Sequence, residues 1–404
     1  MQMAEKLFTA VCDGINMSVV INLTDKEFIM AVRYESPRHM GDQEVATELF
    51  DNQHPRENEG VSFEPTDVPT FDTTVERIIP KGTENSDEWG NTLSRYRVVM
   101  SDGTKLGMNV CEPAERVTDI PIFETPAWFT GLHGFNENSQ RAFGSLGFPS
   151  VLLGHVGGER DGAVKEIARS IFKPWEVVRE MREISLARQA HNMIEVYKHR
   201  WAGFRFNQDY MFTHGNSRGG MVQFPLLAMA HKRGIDVLFA LPVAPCFHDP
   251  FTREAISELR QQPINETVNL GKILARNMFD MAGSGINTIN PSPKSLVYEF
   301  AHMASLFSGD AGSYDDKIPA DQHMLILAYE SDIAGQKARW EESYADFPNV
   351  YVRGVPGAHL SIADRRTRSY VMRAFDRMGQ QLKDGQDPEE LDMTHVSRPL
   401  TIVD

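Results

Sequence analysis

Short apolar runs recur along most of the chain, and segments with helical periodicity separate them. The runs lie at 127–130, 150–153, 210–214, 237–241, 324–329 and 350–353. In one long helical segment, 183–200, apolar side chains recur at three- and four-residue intervals. Continuously apolar strands are typical of sheets buried on both faces, and strands that alternate with helices predict a mostly parallel, doubly wound α/β sheet.

Two further patterns modify this predicted sheet. The runs 96–100 and 105–110 flank Asp102 and Gly103, and Asp-Gly between two strand-like runs is a strong signal for a β-hairpin. The hairpin makes the sheet mixed. Between 246 and 318 the alternation stops and only helical stretches occur. Because a helical insertion in an α/β sheet lies over the carboxyl ends of the strands, we expect a lid or cap there.

The first 90 residues have a different pattern from the rest. Residues 18–23 and 28–34 are strand-like and enclose a polar turn, whereas 35–75 are polar, acidic and contain proline. We interpret this part as an accessory β-containing segment for packing or oligomerisation. The predicted organisation has four parts: an N-terminal accessory segment 1–92, a core formed by 93–245 and 319–385, a helical cap 246–318, and a C-terminal tail 386–404.

Composition and charge narrow the class of partner. The 404 residues are 41% hydrophobic and 24% charged, which is ordinary for a globular protein. Lys and Arg number 41 against 56 Asp and Glu, which gives a net charge of −15. An acidic surface repels phosphate backbones, so we expect no nucleic-acid partner. Three widely spaced cysteines, no secretory signal pattern and no apolar run long enough to span a bilayer predict a cytoplasmic protein without a membrane span.

The most specific chemical signal is Gly215-Asn216-Ser217-Arg218-Gly219, between an apolar run and a helical segment. Strand, tight turn and helix around Gly-x-Ser-x-Gly are the context of a nucleophile elbow, in which a serine hydroxyl projects from the tip of a sheet. Taken alone, the five-residue pattern is more typical of an ordinary turn with a serine cap. Its context and two later segments favour Ser217 as a nucleophile.

A serine nucleophile needs a base within hydrogen-bond reach, and the base needs a carboxylate to orient it. Both residue types follow the last two apolar runs. The first is followed by Asp332, with Glu330 as the alternative carboxylate, and the second by His359. Residues just beyond neighbouring strand ends can meet in an α/β sheet despite their separation in sequence. We interpret His133 and His214 as structural histidines that bond to loop backbone.

Four segments, in this order, resemble the α/β-hydrolase superfamily. They are the hairpin and its continuation at 102–113, the His-Gly segment at 132–135, the elbow, and the acid and base segments near Asp332 and His359. The resemblance covers about 93–385 and leaves residues 1–90 outside it. It implies a sheet of the α/β-hydrolase type with a helical cap and an extra N-terminal β-containing segment.

The resemblance also implies a role for each matching residue. Ser217 would be the nucleophile, His359 the general base and acid, and Asp332 the orienting carboxylate. The backbone N–H groups of Arg218 and Phe135 would form the oxyanion hole. This sequence departs from many members at the two positions beside the serine, where it has asparagine and arginine.

The implied function is a cofactor-independent serine hydrolase that acts on a small-molecule acyl substrate, with a carboxylic ester as the default. Thioester cleavage, acyl transfer to an alcohol and carbon–carbon bond cleavage use the same triad and stay open as alternatives. A non-catalytic binding protein on the same fold is a further alternative. The sequence contains no zinc-protease, P-loop or dinucleotide-binding motif, so we expect no metal or organic cofactor. A homo-oligomer is compatible with the sequence.

Overall fold

The computed structural model of the 404-residue chain has two compact units, Met1–Thr66 and Asp67–Asp404. For the first unit it describes backbone strands only, and for the second it describes side chains as well. The described residues are 4–12, 15–23, 28–35, 68–83, 87–127, 132, 135–156, 185–199, 206–245, 314, 317–330, 332, 337–356 and 365–399. The predicted cap, 246–318, lies outside them apart from 314, 317 and 318.

The first unit contains an antiparallel three-stranded sheet. Its strands are β1 (Ala4–Cys12), β2 (Ile15–Leu23) and β3 (Phe28–Glu35), and they pair in the order β1-β2-β3. The two runs predicted as strands, 18–23 and 28–34, lie within β2 and β3. The prediction of an extra, β-containing N-terminal segment is therefore confirmed.

The described part of the second unit contains a nine-stranded mixed sheet with the order β12-β11-β10-β9-β7-β8-β6-β5-β4. Its strands are β4 (Val75–Thr83), β5 (Thr92–Met100), β6 (Lys105–Glu112), β7 (Ile122–Thr125), β8 (Ser150–Leu153), β9 (Tyr210–Asn216), β10 (Asp236–Val243), β11 (Met324–Tyr329) and β12 (Val350–Val355). The pairs among β4, β5, β6 and β8 are antiparallel, and those from β8 through β7 to β12 are parallel. The mostly parallel sheet and its opening hairpin are as predicted.

Strand β7 is the point where the order of the sheet reverses. The chain continues from β7 to β8 on one side and then crosses to β9 on the other. The crevice at such a switch point, outside the carboxyl ends of the strands, is where α/β proteins bind ligands. The Gly-x-Ser-x-Gly turn follows β9, so it lies at this crevice.

The described helices are α1 (Phe135–Ser145), α2 (Leu186–Lys198), α3 (Arg218–Lys232), α4 (Lys337–Ser343), α5 (Arg365–Lys383) and α6 (Met393–Val396). They divide between the two faces of the sheet. Helices α2, α3 and α4 pack in one hydrophobic cluster, and α1, α5 and α6 pack in a second. Successive strand residues alternate between the clusters, as Ile326 and Leu327 do in β11. The sheet is therefore covered on both faces, which is the doubly wound arrangement that its continuously apolar strands predict.

One observed strand lies earlier in the chain than the strand predicted for that region. The apolar run 127–130 was the predicted strand, but β7 ends at Thr125, and Ala127 follows it outside the sheet. Residues 128–130 lie outside the described part of the chain. The physical reason is Pro126, which has no N–H to donate to the ladder and so ends the strand early.

The predicted polar tail contributes to the core of the second unit. After α5, a short 3-10 helix (Pro388–Glu390) leads to α6, and Leu391, Met393 and Val396 are buried in the second cluster. The first strand of the large sheet, β4, begins at Val75, within the predicted accessory segment 1–92. The four-part organisation of the chain otherwise stays a prediction.

No helix in the part of the chain that the structure describes is both long and apolar enough to cross a membrane.

Candidate active site

Ser217 has the backbone conformation of a strained turn. It lies between the last residue of β9 and the first residue of α3, with φ 52° and ψ −119°. A positive φ places Cβ against the following carbonyl and is uncommon in residues other than glycine. The conformation is held by two backbone hydrogen bonds. The N–H of Ser217 donates to Val243 O in β10 at 2.7 Å, and Met221 N–H donates to Ser217 O at 3.0 Å.

The two glycines of the turn are required by close backbone approach. A Cβ added to Gly215 would overlap the carbonyl oxygen of Gly219, and a Cβ added to Gly219 would overlap the carbonyl oxygen of Thr125. The Thr125 hydroxyl donates to Gly219 O at 2.8 Å, and Gln223 Nε2 donates to the same hydroxyl at 3.0 Å. The first turn of α3 is therefore tied to the end of β7.

Arg218 begins α3 directly after the serine, so its N–H belongs to the helix terminus, whose first N–H groups have no partner inside the helix. Its side chain is buried, and Nη1 lies 2.8 Å from Nδ1 of His155. Nε2 of His155 lies 3.4 Å from the carbonyl oxygen of Ala127. Burial and the neighbouring Arg218 cation lower the pKa of His155 well below its ordinary value, so this imidazole is neutral at pH 7.

The two candidate carboxylates differ in exposure. Asp332 is 2% exposed, and its N–H donates to Tyr329 O at 3.2 Å, just beyond β11. Glu330 is exposed, although its N–H donates to Val355 O at the end of β12. Burial gives Asp332 the water-poor surroundings in which a carboxylate orients a base.

The predicted base, His359, lies outside the described residues, and so does the histidine at 133. The last described residue before His359 is Pro356, one residue beyond β12. In the parallel pair of β11 and β12, Val355 lies opposite Tyr329. The end of β12, four residues before His359 in the sequence, therefore lies beside the end of β11, three residues before Asp332.

The segment of the predicted second oxyanion donor is described at its two ends. Phe135 is the first residue of α1, and Leu132 O accepts a 2.7 Å hydrogen bond from the buried amide of Asn109 in β6. Asn109 thereby anchors this segment to the sheet. Neither this contact nor the one between His155 and Arg218 was visible from the sequence, because both depend on the pairing of distant strands.

Both ring nitrogens of His214 face polar groups of the protein. It is buried, its Nδ1 donates to Leu241 O at 3.0 Å, and its Nε2 lies 3.4 Å from Asn216 Nδ2. Burial lowers its pKa to about 4. These contacts agree with the interpretation of His214 as a structural histidine. Among the described residues, no group of three or more His, Cys, Asp or Glu side chains is arranged to hold a metal ion.

No protein-family model and no curated protein matches the sequence. Solved structures do match. An alpha/beta hydrolase from Penicillium sp. sh18 is 15% identical, with a TM-score of 0.47 over 71% of this chain and 98% of that chain. An esterase of Pyrococcus furiosus is 13% identical, with a TM-score of 0.45 over 77% and 99%. Est1E from Butyrivibrio proteoclasticus is 13% identical, with a TM-score of 0.41 over 70% and 96%.

The order of the nine described strands, the reversal at β7 and the strained serine after β9 are features of this chain itself. Together they define the α/β-hydrolase fold, and the resemblance seen in the sequence is confirmed at the level of the fold.

Proposed function

We propose that this protein is a serine hydrolase that cleaves a carboxylic ester, or a related acyl bond, with Ser217, His359 and Asp332 as its triad. The backbone of Ser217 carries the proposal. A buried non-glycine residue at φ 52° between a strand and a helix is the conformation that a nucleophile elbow needs. An ordinary serine cap is extended and bonds to the first helical turn, whereas the Ser217 side chain makes no cap hydrogen bond to the described first turn of α3.

The proposed reaction has two halves. Ser217 Oγ attacks the acyl carbon while His359 accepts the hydroxyl proton, which gives a tetrahedral oxyanion. The bond to the alkoxy group then breaks, and His359 gives the proton to the departing alcohol. In the second half His359 takes a proton from water, the hydroxide attacks the acyl-enzyme, and the acid leaves as Ser217 regains its proton.

Two backbone N–H groups are proposed to stabilise the oxyanion, those of Arg218 and Phe135. Each is the first residue of a helix, α3 and α1 respectively, and the N–H groups at a helix start are available to an anion. Removing one such donor from a hydrolase raises the barrier by roughly 3–4 kcal/mol. The water-poor setting of Ser217, which is 7% exposed, supports a contribution of that size.

Asp332 is the proposed orienting carboxylate, with Glu330 as the alternative. The buried position of Asp332 favours it, because a carboxylate screened by water interacts weakly with an imidazolium. Glu330 is exposed at the end of β11. Its place beside β12 makes it the natural comparison in experiments.

The experiment is a panel of p-nitrophenyl esters of increasing acyl length, hydrolysed by the full-length protein and by Ser217→Ala. We expect turnover of at least one ester by the wild type and loss of about 1,000-fold or more in the variant. Ser94→Ala is the matched control, because Ser94 lies on β5 and its hydroxyl bonds to Thr83 in β4. Full activity of Ser217→Ala would contradict the proposal.

The same panel bears on the alternatives that use this triad. Adding primary alcohols at millimolar concentration tests acyl transfer, since an acyltransferase forms the new ester in place of the acid. Adding p-nitrophenyl thioesters tests the thioesterase alternative by the absorbance of the released p-nitrothiophenolate. Absence of all turnover in folded wild type would favour a non-catalytic binding protein.

A further inference from the structure

We infer that His155 is a positioning residue of the oxyanion hole, and this inference rests on the proposed function. Its ring connects residue 218, which directly follows the proposed nucleophile, to the segment that leaves β7 toward the second proposed donor. His155 itself follows β8, which pairs with β7 on the side opposite to β9. Three separate parts of the chain therefore meet at one imidazole.

Donor and acceptor chemistry fixes the state of the ring. The guanidinium of Arg218 has only donors, so Nδ1 of His155, 2.8 Å from Nη1, accepts and carries no proton. Nε2 then carries the proton and faces the carbonyl oxygen of Ala127 at 3.4 Å. The bridge is directional, from guanidinium to imidazole to carbonyl, and it requires the neutral Nε2–H tautomer.

The bridge lies wholly inside the protein. His155 is 3% exposed and Arg218 is 1% exposed, so water does not compete for either group. A buried hydrogen bond to a charged group is among the stronger ones in proteins, because the alternative is an uncompensated donor. The side chain of Arg218 is thus fixed at its far end, and its backbone, which includes the proposed donor N–H, has little freedom to turn.

A second set of hydrogen bonds near the elbow has a different structural effect. The Thr125 hydroxyl bonds to Gly219 O and accepts from Gln223, which sets the separation of β7 and α3. His155 instead acts on residue 218 through its side chain and on the segment after β7 through Ala127. Loss of His155 should therefore preserve the fold of the elbow but displace the oxyanion donors.

The chain offers a matched control at the other end of α3. His191 is also buried, its Nδ1 lies 3.0 Å from Arg233 Nη2, and its Nε2 lies 2.7 Å from Thr73 O. This site also links an arginine, a neutral imidazole and a carbonyl, and here Arg233 forms an additional ion pair with Glu195. Arg233 follows the last residue of α3, about 22 Å along the helix from Arg218. A purely structural loss is common to both histidines, and an effect on catalysis is expected of His155 alone.

The test compares His155→Leu, His155→Gln and His191→Leu with the wild type on the ester it hydrolyses best, well below each melting midpoint. We expect kcat of His155→Leu to fall by about 10–100-fold with KM within about threefold, since misplaced donors act on the transition state. Glutamine has both an acceptor and a donor, so it can replace part of the bridge. We therefore expect His155→Gln to recover at least about a third of the decrease in log kcat that His155→Leu causes. His191→Leu should lower the melting midpoint while kcat stays within about twofold.

The outcomes separate the two claims. If the wild type turns over esters through Ser217 but His155→Leu keeps kcat within twofold, the proposed function stands and the positioning role is overturned. Equal losses of kcat in His155→Leu and His191→Leu overturn it as well, because they point to general destabilisation. If the folded wild type has no activity that depends on Ser217, the proposed function fails and the inference fails with it.

Discussion

Tyr329 and Val355 lie opposite each other at the carboxyl ends of the parallel strands β11 and β12. Asp332 follows the first by three residues, and His359 follows the second by four. Neighbouring strands are about 4.8 Å apart, so the ends of β11 and β12 lie within side-chain reach of each other at one edge of the sheet. Ser217 leaves that edge from β9, two strands from β11. This relationship supports the proposal that Asp332, His359 and Ser217 act together as a triad.

The first prediction concerns the identity of the triad acid. Asp332→Asn is expected to lower kcat by about 10,000-fold, because an amide keeps the shape of the side chain but favours the wrong imidazole tautomer and cannot stabilise the imidazolium. The matched variant Glu330→Gln should keep kcat within about twofold, since the side chain is exposed. Steady-state kinetics on one ester measures both. A larger loss in Glu330→Gln would assign the role to Glu330.

The second prediction concerns the backbone of the elbow. Gly215→Ala and Gly219→Ala should each lower the free energy of unfolding by about 3 kcal/mol or more, because the new methyl group would overlap a neighbouring carbonyl oxygen. Gly234→Ala is the comparison. Its added Cβ meets open space, and only its φ of +65° opposes alanine, so its cost should be about 1–2 kcal/mol.

Urea unfolding followed by tryptophan fluorescence gives all three free energies. If the elbow variants lose no more than Gly234→Ala, the close approach of β9, β7 and α3 is wrong. Activity is a second readout, since a displaced Gly219 carries Arg218 N–H with it.

The third prediction concerns stability in acid. Burial lowers the pKa of His214 to about 4, below the 6.5 of an unfolded histidine. The unfolded state therefore takes up the proton first as pH falls, and the contribution of His214 is present above pH 6.5 and lost by pH 4. At about 1.4 kcal/mol per pKa unit, the loss amounts to about 3 kcal/mol.

The variant His214→Gln isolates that contribution. The buried carboxyl of Glu124 has a pKa raised well above its ordinary value by burial, so its effect on stability has the opposite sign with pH. The difference between wild type and variant removes this term. Free energies of unfolding at pH 7, 5.5 and 4 should fall more steeply in the wild type, and parallel curves would contradict the prediction.

The local pattern of apolar and polar residues predicted much of the fold. Continuous apolar runs predict strands buried on both faces, and the structure places Met324–Tyr329 as one such strand between two helix layers. The Asp102-Gly103 turn predicts the hairpin of β5 and β6. The elbow was visible because its glycines and serine lie within five consecutive residues.

Other features depend on contacts that no local pattern encodes. Strand β7 lies before Pro126, whereas the apolar run after that proline attracted the prediction. His155 follows β8 in a segment without a recognisable motif. Its contact with Arg218 becomes evident only once β8 is paired with β7. The buried residues of the tail, such as Met393, are scattered among polar ones and have no periodicity to detect.

The central claim is that Ser217 is an activated nucleophile, and covalent labelling tests it most directly. Full-length protein is treated with a fluorophosphonate, its intact mass is measured, and the modified peptide is mapped. The account predicts one adduct per chain on Ser217, with Ser217→Ala unlabelled and Ser94→Ala labelled like the wild type. Folded wild type that takes up no adduct, or Ser217→Ala that takes up as much as the wild type, would contradict it.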